Sequence, residues 1–406
     1  MGIVFESILL DIGALIVVLL LAIYIRFKKA FTYWKKKNVP YIEPIFPFGN
    51  FADAVLVRRS FAEMNKCQYK SLEGHDFGGF YIFTKPAIMF RDPELIKTVL
   101  VKDFSSFHDR GIYINEEVEP LTGHLFILPG ARWRNLRVKL SPTFTSGKMK
   151  MMFQTLVDCG IELQDLVQNM AKETEVIEIK DILARYGTDV ISSYLPIDSV
   201  AAQAFVFFAA GFETSSTTMT FCLYELALNP DIQDRVRKEI LKVLDKHDGK
   251  ITYESILEMS YLDQVVSETL RKYPPVPILN RECTNEYMIP GTDVVIEKGT
   301  PIVIPVVSLQ HDPKHYPNPE KFDPDRFTEE EIQKRHPYVY LPFGEGPRIC
   351  IGMRFGLMQT KVGLVSILSK FEIGVSEKTS IPLVMNKMSF ILAPKGGMWL
   401  KITKRS

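Results

Sequence analysis

The sequence predicts a mainly α-helical body with minor β-structure, carried behind an N-terminal transmembrane helix. Three observations predict it. Residues 8–25 are apolar except for Asp11 and are followed at once by basic residues. From about residue 131 to 273 the apolar positions recur at helical spacing, and one stretch, 201–229, is apolar nearly all round. Alternating or β-branched runs are short and confined to residues 77–90, 285–308 and 371–403.

The 406 residues give ample chain for a buried core without disulfide staples. Lys plus Arg number 49 against 48 Asp plus Glu, a net charge of +1, which argues against a general nucleic-acid binder. With 46% hydrophobic and 24% charged residues the chain is globular rather than disordered. Five cysteines (Cys67, Cys159, Cys222, Cys283, Cys350) are too few and too scattered for a disulfide framework, and they fit a reducing compartment.

The segment ILLDIGALIVVLLLAIYI just reaches the roughly 20 residues that a bilayer requires. No Lys or Arg precedes it, whereas Arg26, Lys28, Lys29, Lys35, Lys36 and Lys37 follow. A cleaved signal peptide has the reverse pattern, so the expectation is a retained anchor with the chain after Arg26 in the cytosol. Pro40, Pro44 and Pro47 then make a stiff spacer that holds the body near the membrane. The expected division is an anchor at 1–29 and a single domain over 30–406.

Along the body, residues 77–90 read as a strand pair turning at Lys85-Pro86, and 92–102 as a short helix opened by Asp92-Pro93. Helical spacing covers 131–140, 148–172 and 181–192, the last with Asp181 as a candidate cap. The central helix over 201–229 should cross the core, followed by helices at 231–246 and 261–273. Residues 312–348 are turn-rich, a last helix spans about 352–370, and strands near 371–376 and 387–403 close the chain.

The chemistry concentrates in Phe343-Gly344-Glu345-Gly346-Pro347-Arg348-Ile349-Cys350-Ile351-Gly352, a glycine-punctuated loop that delivers a cysteine to a helix N-terminus. Glycines let backbone amides approach a ligand, and the emerging helix adds partial positive charge. Both effects favour a thiolate, the metal-binding form. A single Cys thiolate as proximal iron ligand is the arrangement that promotes O–O cleavage in haem oxygenation. Arg348 stands two residues away and suits a haem propionate. A lone cysteine is ordinarily a small buried apolar residue, and the flanking pattern is what argues otherwise here.

That string resembles the cysteine loop of the cytochrome P-450 family, the haem-thiolate monooxygenases. Other motifs match the family in the same order. Glu268-Thr269-Leu270-Arg271 resembles its ExxR motif, and Pro324-Asp325-Arg326-Phe327 the arginine element that completes a buried charge triad of Glu268, Arg271 and Arg326. Ala210-Gly211-Phe212-Glu213-Thr214 resembles the oxygen-binding stretch of the central helix, and Trp133-Arg134-Asn135-Leu136-Arg137 the WxxxR that holds a propionate. Arg281 matches a further propionate-binding arginine. The wording around these motifs resembles the insect microsomal branch that handles plant toxins and insecticides.

The resemblance implies a cytochrome P-450 fold with haem b (iron protoporphyrin IX) on Cys350, contacted by Trp133, Arg137, Arg281, Phe343, Arg348 and Gly352. Thr214 and Glu213 are an alcohol–acid pair suited to passing protons towards iron-bound O2. Ala210-Gly211 removes bulk there, so a local widening of the helix would admit O2. The implied reaction is hydroxylation or epoxidation of small lipophilic compounds, on the cytosolic side of the endoplasmic reticulum membrane. Electrons would come from NADPH-cytochrome reductase, with cytochrome b5 as a further partner. Arg132, Arg134, Lys139, Lys148 and Lys150 form the basic face expected to dock the reductase. Substrate contact is expected from segments 107–126, 205–214, 275–281 and 388–394, where Phe107, Phe126, Phe205, Phe207, Phe208 and Phe212 favour apolar ligands.

One departure stands out. The family's helices F, G and H belong between the segment ending near Ser193 and the central helix, yet here Tyr194 leads directly into Leu195-Pro196-Ile197-Asp198. By analogy with the family, on the order of a hundred residues are absent near 193–196. Their loss would bare an apolar helix face and admit water to the oxygen-activating side. The alternative function is therefore a truncated isoform that binds haem or reductase without productive turnover. A haem-free anchored scaffold is the third class.

Overall fold

The computed structural model describes residues 8–192 and 201–405. The expected junction at 193–196 therefore lies outside the described residues. Helix α1 (Ile8–Ala30) begins a run, Leu10–Lys36, whose most apolar 18-residue window has a mean hydropathy of 2.3 and no buried position, long and apolar enough to cross a membrane. The Phe46 ring, from the proline-rich spacer, packs edge-on against Tyr24 and Phe27 of α1 at 5.7 and 5.1 Å.

Helix α2 (Phe61–Ser71) opens with a capping box. Ser60 Oγ accepts from the Glu63 amide at 3.2 Å, while the Glu63 carboxylate accepts from the Ser60 amide at 2.8 Å. Such a box is worth about 1 kcal/mol. Strands β1 (Phe77–Ile82) and β2 (Lys85–Phe90) form the predicted hairpin, but it turns at Phe83-Thr84 rather than at Lys85-Pro86. Pro86 is accommodated because β2 meets its second neighbour only at Ile88 and Met89, so the missing N–H faces no ladder.

The helical body comprises α3 (Gly130–Leu140), α4 (Ser146–Glu173), α5 (Ile179–Ser192), α6 (Ala201–Leu228), α7 (Pro230–Lys246) and α8 (Ser260–Lys272), and later α9 (Met353–Leu368). Asp181 is not the cap of α5. The carboxylate of Glu178, at the end of strand β3 (Val176–Glu178), accepts from the Lys180 and Asp181 amides at 3.3 and 2.7 Å, three residues earlier than expected. Helices α5 and α6 press closely together. A Cβ on Gly187 would stand 3.1 Å from Phe212 Cα, and one on Gly211 2.5 Å from Ile191 Cδ1.

Strands β4 (Leu279–Glu282) and β5 (Pro301–Ile304) complete a four-stranded sheet in the order β1-β2-β5-β4, with β2 and β5 parallel. Strands β6 (Phe371–Val375) and β7 (Trp399–Lys404) pair antiparallel, and β3 joins the outer edge of β7. Only the last part of the predicted 387–403 strand is therefore extended in a sheet.

The main core lies between α4, α5, α6, α8 and α9, around Leu163, Ile182, Phe221, Leu262 and Val362. A second core sits under the larger sheet around Trp34, Phe80 and Ile302. A small third cluster, Leu125, Leu128 and Trp133, with Phe207 and Ile351 packed against it, bridges α3, α6 and the cysteine loop.

Candidate active site

Backbone bonding builds the cysteine loop. The Cys350 amide donates to the Phe343 carbonyl at 2.9 Å and the Ile349 amide to the Gly346 carbonyl at 2.9 Å, which folds residues 343–350 into a closed hairpin. Gly346 has φ +74°, and a Cβ there would overlap the Leu100 carbonyl, so this position tolerates no side chain. Gly352 caps α9, and its own amide hydrogen-bonds the Cys350 sulfur. One side of Cys350 is open to solvent and protein crowds the others.

Burial is the largest influence on the Cys350 thiol and pushes its pKa up, while the Gly352 amide, Arg137 and Arg110 pull it down. This corrects the expectation from the sequence: the loop alone does not secure a thiolate, because desolvation outweighs the amide and helix effects. Metal coordination would deprotonate the sulfur outright.

Arginines surround the loop with little acid to balance them. Arg281 is 1% exposed. Its only hydrogen bond in the described structure runs from a terminal nitrogen to the Asn280 carbonyl at 2.8 Å, and its Nε has no partner. Burial first, then Arg110 and Arg348, pushes its pKa well below the ordinary guanidinium value. Arg110 also has an orphaned Nε and lies over the Phe126 ring at 4.0 Å, with its pKa lowered to about 10 by burial. Arg137, likewise lowered by burial, has no carboxylate partner among the described residues. Orphaned guanidinium nitrogens beside a thiol are the donor set that a metal cofactor bearing two carboxylates would complete, so the residues present fit haem.

Arg348 is placed differently from the expectation. Its nitrogens donate to the carbonyls of His108 (2.5 Å), Leu128 (2.8 Å) and Phe126 (3.4 Å), Asp109 lies at 3.5 Å, and the guanidinium stacks on Trp133 at 4.1 Å. It ties the cysteine loop to the 108–128 segment and supports Trp133. Arg110 is the residue that sequence reasoning missed, since it stands alone between Asp109 and Gly111 in no motif.

The charge triad forms. Arg271 donates through Nε and a terminal nitrogen to the two Glu268 oxygens at 2.7 and 2.8 Å, both side chains being fully buried. Arg326 Nε stands 3.5 Å from Glu268, and the Asp323 amide donates to Glu268 at 2.9 Å. Arg271 also reaches the Gln310 and Pro319 carbonyls at 2.9 and 2.8 Å, so the triad fastens α8 to the 310–326 chain.

On α6 the structure does not bring Thr214 and Glu213 together. Thr214 Oγ1 donates to the Ala210 carbonyl at 2.6 Å, and the Glu213 carboxylate accepts from Lys180 Nζ of α5 at 2.9 Å. Adjacent residues on a helix point in different directions, which is why the pair separates. Nor is the helix widened at Ala210-Gly211. It is regular α-helix over Ala201–Leu228, and the space beside Gly211 is taken by Ile191.

The predicted substrate aromatics divide. Phe107 is wholly buried and packs on Tyr287 at 4.7 Å, so it belongs to the sheet core. Phe126 and Phe205 are exposed on either side of His124, and Phe207 meets Phe144 at 5.6 Å. On the basic face, Arg132 is paired with Glu116 at 2.6 Å and Lys150 with Glu254 at 2.5 Å. A cleft of about 440 Å³ lined by Lys66, Tyr224, Lys272, His311 and Leu392 includes none of the predicted haem-binding or proton-delivery residues, and only Leu392 comes from a segment expected to touch substrate.

The profile of one protein family, Cytochrome P450, matches residues 40–195 and 193–400, nearly the whole body. The chain belongs to the cytochrome P450 family. It is 39% identical to "Probable cytochrome P450 6a14" of Drosophila melanogaster over 504 residues, covering 96% of this chain and 99% of the relative. It is 38% identical to cytochrome P450 6a9 of the same fly over 496 residues, covering 96% and 98%. With cytochrome P450 6k1 of Blattella germanica the identity is 37% over 512 residues, covering 98% and 97%. This P450 thus sits in the insect branch of the monooxygenase family, whose members carry haem and use O2 and redox partners. All three alignments are longer than the 406-residue chain, and the two matched stretches meet at 193–195.

Proposed function

We propose that this P450 is anchored by α1 in the endoplasmic reticulum membrane with its body in the cytosol, where it hydroxylates or epoxidises small lipophilic compounds such as plant toxins and insecticides. Haem b is the cofactor, NADPH-cytochrome reductase the electron source and cytochrome b5 a second donor. The observation that carries this reading is Cys350 in its closed loop beside buried, orphaned guanidiniums. Bound there, the haem supplies the oxygen-activating iron.

The protein's own groups divide the remaining work. Cys350 is the proximal ligand; Arg110, Arg137, Arg281 and Trp133 receive the haem carboxylates; Phe343 and Gly352 shape the loop. Arg348 positions Trp133 and the loop. Glu268, Arg271 and Arg326 hold the scaffold on the cysteine side in one arrangement. Thr214, whose proton goes to Ala210, keeps lone pairs that accept a hydrogen bond from water, and Glu213 is the nearby acid for proton delivery once it leaves Lys180. Lys139, Lys148 and Arg134, with Arg132 and Lys150 half-neutralised by Glu116 and Glu254, form the reductase face.

A second reading is favoured by the two matched stretches meeting at 193–195 within alignments longer than the chain. It holds that the excision near 193–196 leaves a form that binds haem or reductase without productive turnover. Reconstitution with the reductase in vesicles separates the two. NADPH consumption that yields oxygenated product supports the monooxygenase; consumption that ends in peroxide, with no product across a panel of lipophilic substrates, supports the truncated form.

A further inference from the structure

Away from Cys350, the cleft of about 440 Å³ lies where the first half of α2, the C-terminal ends of α6 and α8, the turn Val306–Leu309 and the 381–392 loop converge. Its volume falls in the range of small-molecule sites. One wall is apolar, built by Leu228, Val307, Leu383, Met385 and Leu392. The loop that supplies most of that wall is fixed by hydrogen bonds. The Asn386 amide donates to the Ala393 carbonyl and the Lys395 amide to the Val384 carbonyl, both at 2.8 Å, and the Leu392 amide donates to the Pro275 carbonyl at 3.0 Å. The Tyr224 hydroxyl donates to the Ser380 carbonyl at 3.2 Å and ties the loop to α6.

The charged groups of the lining are satisfied within it, with one exception. Lys272 Nζ and the Tyr273 hydroxyl donate to the Glu225 carboxylate at 2.8 and 2.5 Å. Glu63 accepts from the Ser60 amide and hydroxyl at 2.8 and 2.9 Å in the α2 capping box. His311 keeps Nδ1 2.8 Å from the Val307 carbonyl, and burial first, then Lys66 and Arg271, hold its pKa well below the ordinary value, so it adds no charge at neutral pH. Lys66 is the exception. It is half-buried and has no hydrogen bond or ion pair among the described residues. Burial pushes its pKa down, and the nearby charges of Arg271 and Lys272 add to that, while Glu320 and Glu63, both exposed, oppose it through space. A desolvated ammonium without a counter-charge is unfavourable, and an anion in the cleft supplies the acceptor that Lys66 lacks.

We propose that this cleft binds a medium-length alkyl or arylalkyl carboxylate, with its head on Lys66 Nζ and its tail along Leu228, Leu383, Met385 and Leu392. One free cation beside an apolar wall selects this class. A phosphate dianion would face the Glu225 carboxylate with a single free cation to hold it, and a neutral lipophile would leave Lys66 unpaired. The site is separate from the haem-binding residues, none of which lines the cleft, and it stands independently of the oxygenation proposed for Cys350. Leu392 lies in a segment expected to touch substrate, so an occupant braces the base of that segment.

The test is photolabelling of the full-length protein in lipid nanodiscs with a diazirine-bearing phenylalkyl carboxylate, beside the matching primary amide, with labelled peptides located by mass spectrometry. Lys66→Met removes the cation and Lys66→Arg retains it, and the unfolding midpoint of each variant checks that it is folded. The expected result is that the acid labels the 381–392 loop and α2. The amide in the parent, and the acid in Lys66→Met, should each label these peptides roughly tenfold less, the loss of one charge-assisted bond, whereas Lys66→Arg keeps the labelling. Equal labelling by acid and amide, or by parent and Lys66→Met, overturns Lys66 as the anchor. Labelling confined to segments 107–126 and 205–214 means that the acid enters only as a substrate and overturns the separate site, as does no labelling of either region.

Discussion

Lys180 Nζ, at the start of α5, donates to the carboxylate of Glu213 on α6 at 2.9 Å, one residue before the hydroxyl assigned to proton delivery. The acid of the expected alcohol–acid pair is thus tied to a neighbouring helix, whereas the alcohol is tied to its own. Both charged groups are about a quarter exposed, so the tie contributes about 1 kcal/mol at most. Replacing Lys180→Met should lower stability by no more than that, read from urea unfolding. A loss of several kcal/mol would mean that Lys180 carries packing beyond this pair.

Thr214→Ala separates a structural from a chemical role. Its hydroxyl back-bonds to Ala210, an interaction that slightly destabilises helices, so stability should change by less than about 0.5 kcal/mol. In the haem-loaded enzyme, electrons from NADPH should shift towards peroxide at the expense of product. An unchanged product-to-peroxide ratio would remove Thr214 from proton delivery.

Arg281→Met should move two observables in opposite directions. The haem-free protein loses a buried, uncompensated guanidinium and should be stabilised by about 1–3 kcal/mol, read as a raised unfolding midpoint. The haem-loaded protein loses a carboxylate partner and should release haem to an acceptor globin faster, roughly tenfold for a lost charge-assisted bond of about 1.4 kcal/mol. Faster release without the stabilisation would mean that Arg281 has an internal anionic partner.

In the buried triad, Glu268→Gln leaves Arg271 without its counter-charge and should cost about 3–5 kcal/mol. The double change Glu268→Met with Arg271→Leu should cost less than either single change. Additive losses in a double-mutant cycle would contradict the reading of a pair whose desolvation offsets much of its attraction.

His311 gives the body an acid sensitivity. It is largely buried, its Nδ1 lies 2.8 Å from the Val307 carbonyl, and burial together with Lys66, Arg271 and Lys272 pushes its pKa well below the ordinary value. The unfolded chain then binds a proton that the folded chain refuses. The neutral histidine's contribution is complete above about pH 6.5 and is lost as pH falls below it. His311→Gln should flatten the fall in urea midpoint between pH 7.5 and 5.5; an identical slope in the variant would show that other groups set it.

Much of this was legible in the sequence because the chemistry lies in short motifs. Cys350 with its glycines, Glu268 three residues from Arg271, and Trp133 four from Arg137 each occupy one loop or helix, so spacing alone places them. Partnerships across the chain were not legible. Lys180 is 33 residues from Glu213, and Arg110 meets Arg281 and Cys350 only through the tertiary fold. Strand β3 was missed because its three residues pair only with β7, more than 200 residues later. Phe107 reads as a pocket aromatic by composition, yet the sheet encloses it. The rise in the Cys350 pKa depends on crowding, which no local pattern encodes.

The most direct test of haem held by the Cys350 thiolate is the carbon-monoxide difference spectrum of the reduced full-length protein in membranes, beside Cys350→Ser. The account predicts a strongly red-shifted Soret band in the parent and none in the variant. A parent band at the ordinary ferrous-haem position, or no haem absorbance at all, would contradict it.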